Sequence, residues 1–441
     1  MSNDDARTVP VAFRPAELRA VRLVVLSGPD AGLERRAESR TLRVGTAPDS
    51  DLRLTDPSIS RQHFELRLKR DEVRLVDLGS TNGTRVEDVQ VVEAVVRPGQ
   101  RIAIGGSVLR VVSDETPLRL PMSGNTQFGR LLGASAAMRE AYAFLERMAV
   151  TEVSVLIEGE SGTGKELAAE GIHTASRRRK GPFVVVDCSS IPANLFESEL
   201  FGHTKGSFTG ASEERRGMLE EANGGTVFLD EIGELPTEQQ AKLLRALERR
   251  EIKPVGSNKV RPIDVRIVAA TNRNLASEVN RGTFREDLYY RLAGARVTLP
   301  PLHARGDDLA ILVRHFVQLF EPAAIGRVDE ITASLQNRRF PGNVRELRNA
   351  VQFALALDEG ELGSSIPPPD GGAGLAFDRY LELPYGEAAE AVLIAFQHRY
   401  VKHALEREQG NVSAAARRTA MSRRYLQRIL AQLGLRGDQG G

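Results

Sequence analysis

A chain of 441 residues with 41% hydrophobic and 27% charged side chains is too long for one ordinary domain, and its composition indicates neither a disordered chain nor a disulfide scaffold. Its single cysteine, Cys188, excludes an internal disulfide, its seven scattered histidines offer no zinc-ligand spacing, and no apolar run approaches the ~18 residues of a membrane span. A net charge of +1 excludes polyanion binding by the global field, so any nucleic-acid contact must come from a local basic patch, and the lack of a signal-peptide pattern predicts a cytoplasmic protein.

Between residues 20 and 113 the pattern is that of strands. Phe64, Leu66 and Leu68 alternate with Glu65, Arg67 and Lys69, and apolar runs at 73–76 and 108–112 are separated by Gly, Asn and Asp turns, which predicts an all-β sandwich. Ser60-Arg61-Gln62-His63 and Asp77-Leu78-Gly79-Ser80-Thr81-Asn82-Gly83-Thr84 make this segment resemble the forkhead-associated (FHA) domain. By that resemblance Ser60, Arg61, Thr81 and Asn82 contact a phosphothreonine peptide, and Gly45 and His63 support the loops. The implied partner is a phosphothreonine protein or a Ser/Thr kinase. Where the family has a Gly-Arg pair this chain has Gly45-Thr46, so one phosphate-gripping arginine is absent, a loss worth ~1.5–3 kcal/mol. Arg43 and Arg61 are the candidates to compensate; a phosphate-independent interaction module is the other reading.

Residues 114–128, with two prolines and a Ser-Gly-Asn stretch, read as a linker. From 129 to 358, strand candidates at 154–157, 183–186, 226–229 and 265–269 alternate with helical segments, the pattern of a parallel α/β sheet. The first runs into Gly159-Glu160-Ser161-Gly162-Thr163-Gly164-Lys165. Its glycines let backbone amides curl around a polyphosphate, Lys165 reaches the outer phosphates, and the following helix N-terminus favours an anion. Glu166 then stands where the general phosphate loop has Ser or Thr. The third candidate ends in Asp230-Glu231, one carboxylate to hold magnesium through water and a neighbour to polarise the attacking water. The fourth leads to Thr271-Asn272, polar groups suited to sensing a γ-phosphate.

In this order the motifs make 131–350 resemble the AAA+ ATPase domain of sigma-54-dependent transcription activators (bacterial enhancer-binding proteins), whose own phosphate loop carries a glutamate at the position of Glu166. The resemblance implies ATP and Mg2+ as cofactors, held by Gly159, Glu160, Ser161, Gly162, Thr163, Gly164, Lys165, Glu166 and, in the sensor II position, Arg345. Asp230 and Glu231 match the Walker B pair and Asn272 the sensor I position. Arg285 and Arg291 match the arginine fingers that reach a neighbouring subunit's ATP, an effect worth ~10³–10⁵ in rate in related NTPases. Action in trans implies a closed homo-oligomeric ring, a hexamer in the family. Gly206-Ser207-Phe208-Thr209-Gly210-Ala211 matches the Gly-Ala-Phe-Thr-Gly-Ala loop that touches sigma-54 on the RNA polymerase holoenzyme, with Ser207 in place of alanine. Asp187 stands where the family often has an asparagine proposed to restrain the Walker B glutamate.

A second linker, 359–384, contains Pro367-Pro368-Pro369 and Gly371-Gly372. Beyond it, 385–436 has helical periodicity only, and between Arg399 and Arg436 nine basic side chains face two acidic ones. Ser413 and Ser422 suit N-caps of two short helices; Leu426, Ile429 and Leu430 fall on one face and leave Arg423, Arg424, Gln427 and Arg428 free for duplex DNA. The segment resembles the Fis-type helix-turn-helix that closes most sigma-54 activators, with Ala420 replacing the commoner turn glycine.

The expected whole is multidomain: an N-terminal all-β FHA-like sandwich, a central α/β P-loop AAA+ ATPase with a helical subdomain, and a C-terminal all-α helix-turn-helix. The implied function is ATP-dependent activation of sigma-54 RNA polymerase from enhancer DNA, with no membrane partner. A DNA-binding regulator that uses the AAA+ domain as an ATP-switched oligomerisation scaffold, without sigma-54 contact, is the alternative.

Overall fold

A computed structural model of the chain describes residues 17–69, 72–208 and 213–356, together with Val412 and Ala414 in helical conformation. Thr209, Gly210, Ala211 and the expected DNA-contacting Arg423, Arg424, Gln427 and Arg428 lie outside the described residues. The described residues from 17 to 356 belong to one compact unit.

Short alternating segments give the N-terminal part its strands: β1 (Glu17–Ser27), β2 (Glu34–Arg36), β3 (Thr41–Gly45), β4 (Leu52–Arg53), β5 (Phe64–Leu68), β6 (Val73–Asp77), β7 (Thr84–Val86), β8 (Val89–Val91), β9 (Glu93–Val96), β10 (Arg101–Ile104) and β11 (Ser107–Arg119). They form a six-stranded sheet, β2-β1-β11-β10-β7-β8, and a five-stranded sheet, β4-β3-β5-β6-β9. Phe64, Leu66 and Leu75 of one sheet and Leu23, Ile102 and Leu109 of the other are fully buried in one common core, as a sandwich requires. The all-β expectation is met, and β11 runs on past residue 113 to Arg119. Leu118 and Leu120 have core positions to fill, and Pro117 falls in the irregularity between the pairs Leu18/Leu118 and Ala20/Asp114, where it breaks no regular ladder.

The central part is a five-stranded parallel sheet of β12 (Val155–Glu158), β13 (Phe183–Asp187), β14 (Thr226–Asp230), β15 (Arg266–Thr271) and β16 (Ala295–Thr298), in the order β13-β14-β15-β12-β16. Both faces are covered. Val155, Ile157, Phe228 and Val268 pack on one side; Leu156, Val227, Leu229 and Ala269 pack on the other. Such strands read as unbroken apolar runs because neither face meets water. The β16 strand escaped sequence reading because Ala295-Arg296-Val297-Thr298 is short and half polar, an edge strand with one neighbour.

Helices α1 (Ala136–Ala149), α2 (Lys165–Thr174), α3 (Ala193–Phe201), α4 (Thr237–Arg249), α5 (Leu275–Asn280) and α6 (Glu286–Leu292) surround the sheet. A smaller helical subdomain follows, with α7 (Asp308–Phe320), α8 (Val328–Leu335) and α9 (Asn343–Leu355). Asp308 welds it to the sheet domain: its buried carboxylate accepts from the amides of Ala134 and Ser135 at 2.6 and 2.8 Å and from the Ser135 hydroxyl at 2.8 Å, at the start of α1. Among the described residues no helix is long and apolar enough to cross a membrane.

Candidate functional site

The turn from β12 into α2 is the phosphate loop. Gly162 and Gly164 have φ of +76° and +102°, a region L side chains resist, and a Cβ on Gly162 would lie 2.2 Å from the Gly342 carbonyl oxygen. Glycine is therefore required for the loop to touch the helical subdomain. Thr163 is buried and its hydroxyl donates to the Glu160 carbonyl at 2.8 Å, closing the turn. Lys165, also buried, points its ammonium at the carbonyls of Gly159 and Glu160, at 3.0 and 3.4 Å, and at the Glu231 carboxylate at 3.3 Å.

Parallel pairing of β14 between β13 and β15 brings the acidic pair and Asn272 to the same sheet end. Glu231 has φ of +48°, and its second carboxylate oxygen accepts from the Asn272 amide at 3.1 Å. Burial, and then the neighbouring Glu231 charge, push the Asp230 carboxyl above the ordinary range, while the Glu231 N–H and the Lys165 ammonium pull it back. Asp187 stands beside Asp230 in the sheet register, but its carboxylate is held by the Ser189 amide and hydroxyl at 2.9 and 2.7 Å. Glu231 is thus tied to Lys165 and Asn272, and no bond to Asp187 restrains it. Cys188 next to it is inert, since burial pushes its thiol up to about 12.

The helical subdomain caps the loop. Arg345 donates to the Ser161 hydroxyl at 3.0 Å, and the Val344 amide donates to the Gly162 carbonyl at 3.0 Å. Asn343, buried with φ of +51°, donates to the Glu160 carboxylate at 2.9 Å and the Ser161 carbonyl at 3.0 Å and accepts from the Leu302 amide at 2.7 Å. Arg305, 1% exposed, donates to the Thr163 carbonyl at 2.5 Å and the Pro300 carbonyl at 2.9 Å. Neither Asn343 nor Arg305 was singled out from sequence, because each acts through backbone carbonyls of a loop far away in the chain. The expected trans arginines lie apart from this cluster. Arg285 forks onto Asp287 at 3.0 and 2.6 Å, and Arg291 donates to the Leu247 carbonyl at 2.9 Å.

Left-handed glycines, a lysine ammonium and a carboxylate pair form a donor set that fits a magnesium-bound nucleoside triphosphate. Among the described residues no three His, Cys, Asp or Glu side chains gather into a metal cage. A magnesium ion at Asp230 would therefore draw most of its ligands from phosphate oxygens and water, its usual manner of binding.

Of the expected sigma-54 loop, Gly206, Ser207 and Phe208 are described. Gly206 has φ of +78°, and the Phe208 ring, 38% exposed, stands edge-on to His203 with centroids 5.0 Å apart. The Ser207 hydroxyl oxygen is buried with no hydrogen-bond partner among the described residues.

A second cluster occupies one end of the sandwich. Ser60 accepts from the Thr81 amide at 3.0 Å, Asn82 donates to the Ser58 carbonyl at 2.8 Å, and the fully buried His63 joins the two loops. Its Nδ1 accepts from the Ser60 amide at 3.0 Å and its Nε2 lies 3.3 Å from the Gly83 carbonyl, which selects the neutral tautomer protonated on Nε2. A Cβ on Gly45 would lie 1.9 Å from the Arg61 carbonyl oxygen, so only glycine lets β3 pass beneath this end. Ser60, Thr81 and Asn82 are thus brought together across the two loops, while the Arg61 side chain pairs with Glu286. Arg43 does not join them: it is buried against Glu65 at 3.1 Å and Glu158 at 3.4 Å, the residue that opens onto the phosphate loop. Burial pushes the Glu158 carboxyl upward and the Arg43 guanidinium pulls it back. Arg43 is thus committed to the domain interface and is no substitute for the arginine missing at Thr46.

Comparison with known families and proteins gives concordant results. Residues 131–298 match the sigma-54 interaction domain, 303–365 the AAA+ ATPase lid domain, and 24–115 the cytoplasmic domain of the inner membrane component of T3SS. Regulatory protein AtoC of Escherichia coli (strain K12) is 41% identical over 325 residues, 72% of this chain and 70% of AtoC. The DNA-binding transcriptional regulator NtrC of Rhizobium meliloti (strain 1021) is 36% identical over 97% of both chains. A crystal structure of NtrX from Brucella abortus superposes with a TM-score of 0.50 at 36% identity, covering 69% of each chain. With the phosphate loop, acidic pair and helical cap assembled as described, and with relatives at this identity and coverage, the chain belongs to the sigma-54-dependent transcriptional regulators of the NtrC, AtoC and ZraR family.

Proposed function

We propose that this protein is an ATP-dependent activator of sigma-54 RNA polymerase, which binds enhancer DNA and remodels the closed promoter complex by ATP hydrolysis. One observation carries the reading: the β12–α2 loop, Lys165, Asp230, Glu231 and Asn272 meet at one sheet end, in a domain that leaves Phe208 partly exposed.

Bound ATP supplies the phosphoryl group whose transfer to water releases the free energy. The 159–166 loop amides and Lys165 bind its phosphates, Asp230 would hold a magnesium ion that neutralises phosphate charge, and Glu231 accepts a proton from the attacking water. For that, Lys165 exchanges its Glu231 partner for phosphate oxygens, which frees the carboxylate to act as base. Asn272 and Arg345 report the state of the outer phosphate to the strand end and the helical cap. Arg285 and Arg291 serve a neighbouring protomer, so activity requires assembly into a ring, a hexamer by family likeness. The 206–211 loop grips sigma-54, the 385–436 segment binds duplex DNA through Arg423, Arg424, Gln427 and Arg428, and the sandwich binds a phosphothreonine ligand that sets activity.

Reconstituted transcription tests the whole. Open-complex formation is expected with sigma-54 holoenzyme and ATP and absent with housekeeping holoenzyme or without ATP. ATP-dependent assembly without any stimulation of sigma-54 holoenzyme would replace this reading with the scaffold alternative.

A further inference from the structure

The sandwich end that carries Ser60, Arg61, Thr81 and Asn82 is touched by the chain's own ATPase domain through Arg61 and the backbone of Gln62 and Leu78, while Thr81 and Asn82 stay exposed. Arg61 pairs with Glu286 in the first turn of α6. Asn280, last residue of α5, donates at once to the Gln62 carbonyl at 2.5 Å and the Leu78 carbonyl at 2.9 Å, one in each of the two loops. Arg281 approaches Gly79, whose φ is +73°: a Cβ there would lie 3.7 Å from the Arg281 Nε. Behind this contact Asp49 meets Arg296 at 3.4 Å, and Arg43 meets Glu158.

The ridge so engaged is not a neutral surface. Glu286 stands between Arg285 and Arg291, the two arginines that have to reach a neighbouring protomer, and Asn280 precedes them on the same ridge. A carboxylate on Arg61 is the nearest side-chain mimic of a phosphate on Arg61, since both are anions taking charge-assisted guanidinium bonds. The pair is largely exposed on the Arg61 side, so it contributes about fivefold or less to the docking equilibrium. A phosphate dianion, with more charge and more acceptor oxygens, competes with it effectively.

We propose that the phosphopeptide-recognition end of the sandwich is an intramolecular docking surface for the α5–α6 ridge, and that Glu286 holds the position a phosphate would take on Arg61. The inference rests on the reading of the sandwich as a phosphothreonine binder. Phosphopeptide and ridge compete for Arg61, so ligand binding displaces the sandwich from beside the exposed Arg285 and Arg291 that a second protomer must contact. Conversely, docking draws on binding free energy and weakens the peptide.

The experiment uses the full chain. Asn280→Asp turns a donor facing two carbonyls into a repelling acceptor, and Asn280→Ala removes the donor without adding charge. Sedimentation velocity with Mg2+ and ATPγS over a range of protein concentrations reads assembly. Fluorescence anisotropy of a synthetic phosphothreonine peptide library, with its unphosphorylated counterpart, reads the sandwich. Both variants are expected to assemble at about tenfold lower concentration than the parent chain and to bind the phosphorylated library about tenfold tighter, the scale of two lost hydrogen bonds. Faster hydrogen exchange at residues 58–63 and 78–83 is expected in both. Unchanged or raised assembly midpoints in both variants overturn the inference, even where peptide binding stands. Lowered midpoints with no peptide binding by any form keep the docking surface and remove the phosphothreonine reading alone.

Discussion

The side-chain amide of Asn343 donates to the Glu160 carboxylate at 2.9 Å, joining the first turn of α9 to the phosphate loop across 183 residues of sequence. The same amide oxygen accepts from Leu302, so one buried side chain serves three segments. Asn343→Ala leaves the Leu302 amide without this acceptor and keeps a left-handed backbone that alanine tolerates poorly. Together these are expected to cost about 2–4 kcal/mol. Asn343→Asp is expected to be worse for nucleotide, because it sets a carboxylate against Glu160. Denaturant unfolding and binding of a fluorescent ATP analogue check both. An affinity within threefold of the parent chain for both variants would show that the cap does not organise the loop.

Glu231 is held by Lys165 at 3.3 Å and by the Asn272 amide at 3.1 Å, two groups that nucleotide would engage. Glu231→Gln keeps a side chain of the same shape that cannot accept a proton from water. It is expected to bind ATP normally and to hydrolyse it about 10²–10⁴ times more slowly, the usual range for loss of a positioned base. Turnover measured at saturating ATP decides the point; a variant that turns over at a third of the parent rate or more rules Glu231 out as the base.

Gly45 tests the sandwich end by sterics alone. A Cβ at this position would sit 1.9 Å from the Arg61 carbonyl oxygen, which is backbone and cannot rotate away. Gly45→Ala is expected to destabilise the sandwich by about 1–3 kcal/mol and to displace the 60–63 loop. Hydrogen exchange of that loop is the readout, and parent-like protection of Ser60 to His63 would contradict the close approach.

His63 makes the same end sensitive to acid. Burial lowers its native pKa below 6.5, so the unfolded chain binds more protons than the folded one once the pH falls under about 6.5. Stability from His63 is therefore intact above that pH and is eroded as pH drops from 6.5 toward the native value. Exchange of residues 58–63 and 78–83, corrected for intrinsic rates, is expected to accelerate between pH 7.5 and 5.5 in the parent chain. His63→Gln should be less protected throughout and show a flatter dependence. An equal slope in both would assign the effect to other groups.

Much of the catalytic end was legible because its chemistry is local in sequence. The glycines and Lys165 follow one strand and Asp230-Glu231 end another, and buried parallel strands announce themselves as apolar runs. Ser60, Arg61, Thr81 and Asn82 were equally legible, each pair sitting in one short loop. What escaped was non-local. Asn343 and Arg305 read as ordinary polar residues until the helical cap folds onto the phosphate loop, and Arg43 reads as a free cation until Glu158 arrives from the other domain. No periodicity records such partners, since each contact depends on where two separately folded elements come to rest.

Phe208 sits beyond Gly206 on a stem whose Thr204 amide donates to the Val255 carbonyl at 3.0 Å, and its ring leans edge-on against His203 while staying 38% exposed. A half-exposed aromatic with one ring contact among the described residues is available to a partner at little cost in stability. Aromatic anchors of interfaces commonly lose about 2–4 kcal/mol on truncation, thirtyfold or more in binding. Phe208→Ala is therefore expected to leave ATP turnover within about twofold while reducing sigma-54 binding and open-complex formation by that factor or more. Ser207→Ala is the companion: it removes a buried hydroxyl that has no partner among the described residues, and it should stabilise the stem or leave it unchanged while preserving activation. Pull-down of sigma-54 and promoter melting, each measured beside ATPase rate, separate the roles. Full melting by Phe208→Ala with turnover intact would remove this loop from the contact with sigma-54.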